Sequence, residues 1–274
     1  MYKRQLLNRL GLSKLELHPG YPLRVQTLGA FQVWRGAHEI RTQEWRRDKA
    51  RQLFQVLLTF RHRLLERDQI LDMLWPSLNR ESAESNFKVA LNTLYRVLEP
   101  ELPARSPSAY VLRDNTLYGL RPTADLWLDA AEFERMVVDG DRRFEQRIDS
   151  GLDSYRQALE GYRGDYLQDY PYDDWCSEER ERLLGLYLHA ADRLAGTLAE
   201  RGRWQETIDA CQAILQRDDC WEQAYRLLML AHARLGNRAQ ALRTYQRCVE
   251  RLREELDVPP SAATVGLFEA LRGD

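Results

Sequence analysis

Residues 84–100 read ESNFKVALNTLYRVLEP, and this stretch decides how the first half of the chain is interpreted. Its apolar residues recur at intervals of three and four, which is the spacing of one face of an α-helix. They are Phe87, Ala90, Leu91, Leu94 and Leu98. Because Pro100 stops the pattern, the sequence predicts a helix that begins near residues 80–82, buries one face and leaves a polar face opposite.

Two shorter helices and an N-terminal sheet are predicted before this long helix. Ala50, Leu53, Val56, Leu57 and Phe60 form a helical stripe, while Arg47, Arg51 and Gln55 are expected to face away from it. A second short helix is expected near residues 67–75. Alternation over residues 23–33 predicts one strand with a bulge at Gly29, and residues 38–40 a second short strand.

Two short strands are predicted after the long helix, at residues 110–112 and 116–120. They are joined across Asp114 and Asn115, two residues that tolerate positive φ, so a tight hairpin is expected. The first half of the chain is therefore predicted to be a sheet, three helices and a C-terminal hairpin.

A short helix, a turn and a longer helix with a polar outer face form the layout of helix-turn-helix DNA readers. On the long helix, Asn92 has the groups to bind adenine and Lys88 to bind guanine, while Val89 or Thr93 suits a thymine methyl group. The candidates for base contact are Ser85, Lys88, Val89, Asn92 and Thr93. The candidates for phosphate contact are Arg46, Arg47, Arg51, Arg80, Arg96 and Arg113, the last one near the hairpin tip. The alternative is that these residues form an ordinary solvated helix face.

The charge is divided unequally along the chain. Residues 1–122 carry 20 Lys and Arg against 12 Asp and Glu, a charge of +8, whereas residues 123–274 carry 20 against 30, a charge of −10. A basic half favours a polyanionic partner such as double-stranded DNA. The alternative is chance drift of surface charge.

The second half contains an internal repeat. Residues 190–217 align with residues 224–251 at an offset of 34, which is the period of tetratricopeptide (TPR) helical hairpins. Everything after Pro122 is expected to be helical, with breaks at Gly140, at Tyr170-Pro171 and at Pro259-Pro260. Further helices near 125–138, 142–162 and 261–271 would complete the stack, and a glycine would end the first helix of each repeat. The alternative is an ordinary helical bundle.

Several classes of protein are excluded by motif. The longest run without a charged residue is 11 residues, too short to span a membrane, and the four cysteines form no Cys-x-x-Cys pair. None of the four lysines follows a glycine, so a P-loop is absent, and the five histidines are scattered. The acidic pairs at 173–174 and 218–219 are expected to be solvated loops. We therefore expect a cytoplasmic, nucleoid-associated protein that is not an enzyme and holds no cofactor or metal.

These segments resemble two known modules. Residues 23–122, with LRVQTLGAFQVWRG, EWRRDKARQLFQVLL, RDQILDMLWP and the hairpin, resemble the OmpR-type winged helix. Residues 123–272, with ADLWLDAAEFE, RGRWQETIDACQAIL and AYRLLMLAHARLGNRAQALRTYQRCVERLREELDVPPS, resemble the bacterial transcriptional activator domain. In this order, the two modules resemble the antibiotic-regulatory-protein (SARP) class of bacterial transcription factors.

The resemblance implies an α+β winged-helix domain with a hairpin wing, followed by an all-α TPR-like domain. It places a linker or a stub of an upstream region at 1–20, the winged helix at 21–122 and the activator domain at 123–274. It further implies an activator that binds direct repeats in promoters and contacts RNA polymerase, with a TPR-like module of a kind that commonly supports dimerisation; a homodimer and a monomer both remain open. Relatives often carry Gln, Ser and Arg where this chain has Lys88, Asn92 and Thr93, and an arginine at Tyr95, so the target sequence does not carry over. The alternative function is a TPR-type protein-interaction scaffold with a degenerate winged helix.

Overall fold

The computed structural model describes residues 22–103, 106–146, 151–170 and 173–273. Its described residues form two compact units, one made of those within Met1–Ala131 and Tyr166–Glu179 and the other of those within Glu132–Asp165 and Arg180–Asp274. The expected linker or stub at 1–20 lies outside the described residues, and so does Pro171 of the expected break at Tyr170-Pro171.

The first unit contains two small sheets and three helices. Its strands are β1 (Leu23–Gln26), β2 (Gln32–Arg35), β3 (His38–Glu39), β4 (Leu65–Glu66), β5 (Val111–Asp114), β6 (Leu117–Leu120) and β7 (Leu126–Leu128). Its helices are α1 (Asp48–Thr59), α2 (Arg67–Leu74) and α3 (Arg80–Leu98). The sheets have the strand orders β3-β2-β1-β7 and β4-β6-β5, so the predicted hairpin β5–β6 is confirmed as the wing of a winged helix.

The first sheet corrects two predictions. Residues 23–33 do not form one bulged strand, because β1 and β2 pair antiparallel, with Val25 opposite Val33, and Gly29 lies at positive φ in the turn between them. The chain after Pro122 is not entirely helical, because β7 pairs parallel to β1 and places Leu128 beside Val25. The edge of β1 is thus covered by residues that follow the wing.

Helix α3 is held by the apolar face that its sequence predicted. Ala90, Leu91, Leu94 and Leu98 are buried, and the ring of Phe87 lies 6.5 Å from Trp75 and 4.9 Å from Tyr118, both edge to face. Edge-to-face pairs at these centroid distances are favourable. The predicted inner face of α3 is confirmed, and its contact with Tyr118 ties the helix to the wing.

Helix α1 is buried on more than one side. All seven residues from Leu53 to Thr59 are buried, so the prediction that Gln55 faces away is wrong. The covering segment is Tyr166–Glu179 of the same unit, in which the hydroxyl of Tyr166 lies 3.0 Å from Thr59 Oγ1. Arg61 pairs with Glu179 at 2.6 Å, with both side chains nearly buried. A segment distant in sequence therefore completes the core of the first unit.

The carboxylate of Asp129 fastens the turn after β1 to the chain beyond β7. Its Oδ1 accepts from the amide of Thr27, the hydroxyl of Thr27 and the amide of Ala130, each at 2.8 Å, and its Oδ2 accepts from the amide of Leu28 at 2.9 Å. Burial raises the pKa of Asp129, and these hydrogen bonds act in the opposite direction. Both oxygens of the carboxylate accept hydrogen bonds, four in all, as a buried carboxylate requires.

Replacing Asp129 by Asn is expected to lower the free energy of unfolding of the first unit by about 2 kcal/mol. The amide keeps the shape and one acceptor, but its NH2 group would face the amide donor of Leu28 across 2.9 Å. Urea unfolding followed by circular dichroism measures the change. Asp125→Asn, four residues earlier and without these bonds, is the matched control and is expected to leave stability unchanged; equal stability of both variants would contradict the assigned role.

The second unit is a stack of helices. They are α4 (Asp129–Glu145), α5 (Gly151–Gly161), α6 (Ser177–Glu200), α7 (Trp204–Leu215), α8 (Glu222–Arg234), α9 (Arg238–Leu256) and α10 (Ala262–Arg272), the first residues of α4 and α6 belonging to the first unit. The predicted hairpins are confirmed as α6–α7 and α8–α9, and Gly202 and Gly236 lie at positive φ just after α6 and α8. The closing helix and the break at Pro259-Pro260 are confirmed as well.

The predicted break at Gly140 is wrong, because Gly140 lies inside α4. A Cβ atom there would lie 2.6 Å from the Tyr155 ring, so this glycine serves close packing between α4 and α5. The helices expected at 125–138 and 142–162 accordingly have the bounds of α4 and α5. No helix in the described part of the chain is long and apolar enough to cross a membrane.

Candidate nucleic-acid interface

The five candidates for base contact lie together on the outer face of α3. They are Ser85, Lys88, Val89, Asn92 and Thr93, and their spacing of three and four places them in one stripe along the helix. Thr93 is half-buried and the other four are exposed, including Val89, whose exposed fraction is 37%. The stripe is therefore accessible along two turns of the helix.

Hydrogen bonds within α3 determine which donors and acceptors of these side chains remain free for an external partner. The hydroxyl of Thr93 donates to the carbonyl of Val89 at 2.8 Å, so its methyl group and its acceptor lone pairs remain for a partner. Asn79 caps the helix by accepting from the amide of Ser82 at 2.9 Å. Lys88 supplies donors only and Asn92 both donors and an acceptor. The stripe thus combines an apolar contact with both kinds of hydrogen-bonding group.

Four of the six candidates for phosphate contact are exposed cations of the same unit. Arg46 and Arg47 precede α1, Arg96 lies in the last turn of α3, and Arg113 lies in β5 with its guanidinium 5.8 Å from the centre of the Tyr118 ring. Among the described residues, none of the four forms an ion pair with a carboxylate. Their charge is therefore available to an external anion.

The other two candidates are engaged inside the protein. Arg51 is mostly buried and binds Asp169 at 3.1 Å and the carbonyl of Phe31 at 3.4 Å. Arg80 is exposed, but it donates to both carboxylate oxygens of Asp68, at 2.8 and 3.1 Å, and to Glu84 at 3.3 Å. These internal partners already neutralise part of the charge of both residues, so each is less available to a phosphate than the four exposed arginines.

A groove separates the C-terminal half of α3 from the wing. Its volume is about 790 Å³, and its lining includes Asn92, Tyr95, Arg96, Arg113 and Arg121. Burial raises the pKa of Tyr95, so its hydroxyl stays protonated and able to donate. The groove thus brings together the residues of two predicted kinds of DNA contact. Asn92 is predicted to read the major groove, and Arg96 and Arg113 are predicted to bind phosphates.

Sequence reasoning missed the residues that shape this groove. Glu99 accepts from the amide of Ala109 at 2.9 Å and from the hydroxyl of Ser108, and Arg121 donates to the carbonyl of Ser108 at 3.0 Å. These bonds fix the loop that leads into the wing. The sequence indicates these bonds only through the positions of the two charged residues. Glu99 lies just before the loop, and Arg121 lies just after the hairpin.

The wing is also held against the turn that follows α1. A Cβ atom on Gly119 would lie 2.6 Å from Leu64 Cδ2 and 3.2 Å from the carbonyl oxygen of Arg63. A side chain at this position of β6 would require Leu64 and the backbone of Arg63 to shift, so the glycine allows the close approach. This contact fixes the direction of the wing relative to α3.

Among the described residues, the ligand-type side chains that lie within reach of one metal ion are Asp218, Asp219 and Cys220. Asp219 pairs with Arg251 at 3.4 Å, and Asp218 accepts from the amide of Cys220 at 2.9 Å. Burial and the two carboxylates raise the pKa of the Cys220 thiol, which disfavours the thiolate that a metal needs. The trio is a partly exposed loop between α7 and α8, as the sequence predicted for Asp218 and Asp219.

Comparison with known proteins gives a consistent set of relatives. The family described as Bacterial transcriptional activator domain (BTAD) matches residues 128–272. The chain is 29% identical over 232 residues to the regulatory protein DnrI of Streptomyces peucetius, covering 82% of this chain and 85% of DnrI. It is 25% identical over 251 residues to the regulatory protein AfsR of Streptomyces coelicolor, covering 88% of this chain but only 24% of AfsR.

A solved structure shares the fold. Mycobacterium tuberculosis EmbR, determined in complex with a low-affinity phosphopeptide, superposes with a TM-score of 0.76 at 19% identity. The match covers 92% of this chain and 65% of the EmbR chain. The chain thus has the winged-helix and TPR-like architecture of that protein, and it spans less than two thirds of EmbR and about a quarter of AfsR.

Proposed function

We propose, because this chain belongs to the bacterial transcriptional activator domain family and is a regulator of the SARP class, that it activates transcription by binding duplex DNA in a sequence-specific manner. One observation carries the proposal. The stripe on α3 combines the exposed Lys88 and Asn92 with the half-buried Thr93, and the same unit carries four exposed arginines without carboxylate partners among the described residues. Similarity to regulators also favours a role without catalysis.

In the proposed mechanism, Arg46, Arg47, Arg96 and Arg113 attract the duplex and fix its register through phosphates. Helix α3 enters the major groove, where Asn92 binds adenine and Lys88 binds guanine. The wing lies beside the helix along the backbone. Phosphate contacts supply affinity and the stripe supplies the choice of sequence.

The helical second half is proposed to serve proteins rather than DNA. Residues 123–274 carry a charge of −10, which repels a polyanion and suits contact with a second copy of the chain or with RNA polymerase. We propose the division at residues 21–122 for DNA reading and 123–274 for protein contacts. Two copies of the chain bound head to tail would match two direct repeats in one promoter, because both copies of α3 would then read their half-sites in the same direction.

Selection of random duplex DNA on the purified protein, with sequencing of the bound fraction, tests this function. An enriched motif that occurs twice at a spacing near one helical turn, about 10 base pairs, is the expected result. No enriched motif, together with stable capture of a protein partner by the chain, would instead favour a TPR-type interaction scaffold with a degenerate winged helix.

Asn92→Ala is expected to lower the preference for one base pair of the selected motif by about 1–3 kcal/mol, because the lost bidentate contact is specific to that base. Binding to an unrelated duplex should stay the same. Arg96→Ala is expected to weaken binding to both duplexes by a similar factor. Anisotropy titrations on the motif and on its single-base variants measure both effects.

Asn86→Ala is the matched control for the asparagine, because Asn86 lies on the same helix but donates to the carbonyl of Ser82 at 2.9 Å. It should keep the preference for every base pair. A uniform loss of affinity for Asn92→Ala, with no change in base preference, would remove Asn92 from the reading stripe.

A further inference from the structure

The second unit contains a cleft that the proposed function does not use. It lies between α7, α8 and α9 and has a volume of about 380 Å³, which is within the range of small-molecule sites. Its floor is apolar and buried, formed by Leu215, Tyr225 and Leu228. Helices α7 and α9 at its rim come from successive repeats, so the cleft is formed where one helical hairpin stacks on the next.

The rim of this cleft is cationic in a half of the chain that is strongly acidic. Arg243 and Arg247 lie one turn apart on α9, and side chains at this spacing point to the same side of a helix. The described residues that line the cleft include no carboxylate. Two guanidinium groups thus lie together in a half of the chain, residues 123–274, whose net charge is −10.

Polar side chains around the arginines add directional hydrogen bonds. The Nε atom of Arg243 donates to Gln240 Oε1 at 3.1 Å, which orients the guanidinium and uses one of its five donors. Within the described residues, Arg247 forms no ion pair with a carboxylate. Gln212 of α7 and Gln216, the residue directly after α7, also line the cleft. Burial lowers the pKa of His232, so at neutral pH the positive charge of the cleft comes from the two arginines.

We propose that this cleft binds a small organic anion, whose carboxylate or phosphate group is held by Arg243 and Arg247 and whose apolar body rests on Tyr225 and Leu228. Arginine pairs recognise such groups through paired N–H donors. An anion bound there would connect α8 to α9 and α7, and it would therefore favour one arrangement of these helices. The site lies outside the residues proposed to read DNA, so it stands apart from the proposed function.

Titration of the full chain with 1-anilinonaphthalene-8-sulfonate tests the site, since this fluorescent probe joins an anionic group to an apolar ring system. The expected result is saturation at one probe per chain. Arg243→Gln and Arg247→Gln together should lower the affinity by about tenfold or more. Displacement of the probe by benzoate or by phenyl phosphate then tells whether the site prefers a carboxylate or a phosphate.

Arg253→Gln is the matched control, because Arg253 is exposed on the same helix and lies outside the cleft. It should leave probe affinity unchanged. Equal probe affinity in the wild type and in the Arg243→Gln, Arg247→Gln variant would overturn the proposal. So would the absence of saturable binding, or an equal loss in Arg253→Gln. A far-ultraviolet circular dichroism spectrum identical to that of the wild type shows that each variant is folded.

Discussion

In the variant that replaces Arg46, Arg47, Arg96 and Arg113 by glutamine, we expect DNA binding to lose nearly all of its dependence on salt. Each phosphate that a protein cation neutralises contributes about −0.9 to the slope of log K against log salt concentration. Four such contacts predict a slope of about −3.6 for the wild type. At about 0.1 M salt, the four substitutions should lower affinity by roughly three orders of magnitude.

Four phosphate contacts are expected, rather than the six that the sequence suggests, because Arg51 and Arg80 form ion pairs within the protein. Arg80 is as exposed as a typical phosphate contact, but it is held by Asp68 at 2.8 Å and by Glu84 at 3.3 Å. Arg80→Gln is therefore the matched control on the same helix and is expected to leave the slope unchanged. Anisotropy titrations of a labelled duplex between about 0.05 and 0.3 M potassium chloride measure both slopes.

Two results would contradict this assignment of charge. One is an unchanged slope in the fourfold variant, since cations that neutralise no phosphate release no counterions. The other is an equal drop in slope for Arg80→Gln, which would mean that DNA displaces Asp68 and Glu84. Because all four replaced side chains are exposed, the fourfold variant should keep the stability of the wild type.

Features that depend on local periodicity were predictable. The apolar face of α3, the wing hairpin with Asn115 at positive φ, and the glycines that end α6 and α8 all follow from spacing or from backbone preference. The stripe on α3 was predictable for the same reason. Once one face of a helix is buried, the position of every residue on the opposite face is fixed.

Features that depend on distant segments were not predictable. Strand β7 has three residues, too few for a period, and its partner β1 lies about a hundred residues earlier. Gln55 was placed outside because nothing near it in sequence shows that Tyr166–Glu179 covers α1. The same segment supplies Asp169, which takes Arg51 out of the set of available cations. Non-local packing, rather than local preference, therefore decided which candidates remain at the interface.

The covering segment leads to the largest stability effect that we expect in the first unit, for which DNA reading is proposed. Tyr166 is fully buried, and removal of such a ring in Tyr166→Ala should lower the free energy of unfolding by about 3–5 kcal/mol. That is a large part of the stability of a typical domain, so DNA binding should fall together with the folded fraction. Urea unfolding with DNA titration on the same samples measures the two losses.

Tyr166→Phe separates the ring from the hydroxyl group. The single hydroxyl hydrogen of Thr59 is donated to the carbonyl of Gln55 at 2.9 Å, so in the 3.0 Å bond between the two hydroxyls Tyr166 is the donor. Phenylalanine therefore leaves Thr59 with its own donor satisfied, and the expected cost is only about 1 kcal/mol. If Tyr166→Ala unfolded at the same urea concentration as Tyr166→Phe, the segment would be an accessory to the winged helix rather than a part of its core.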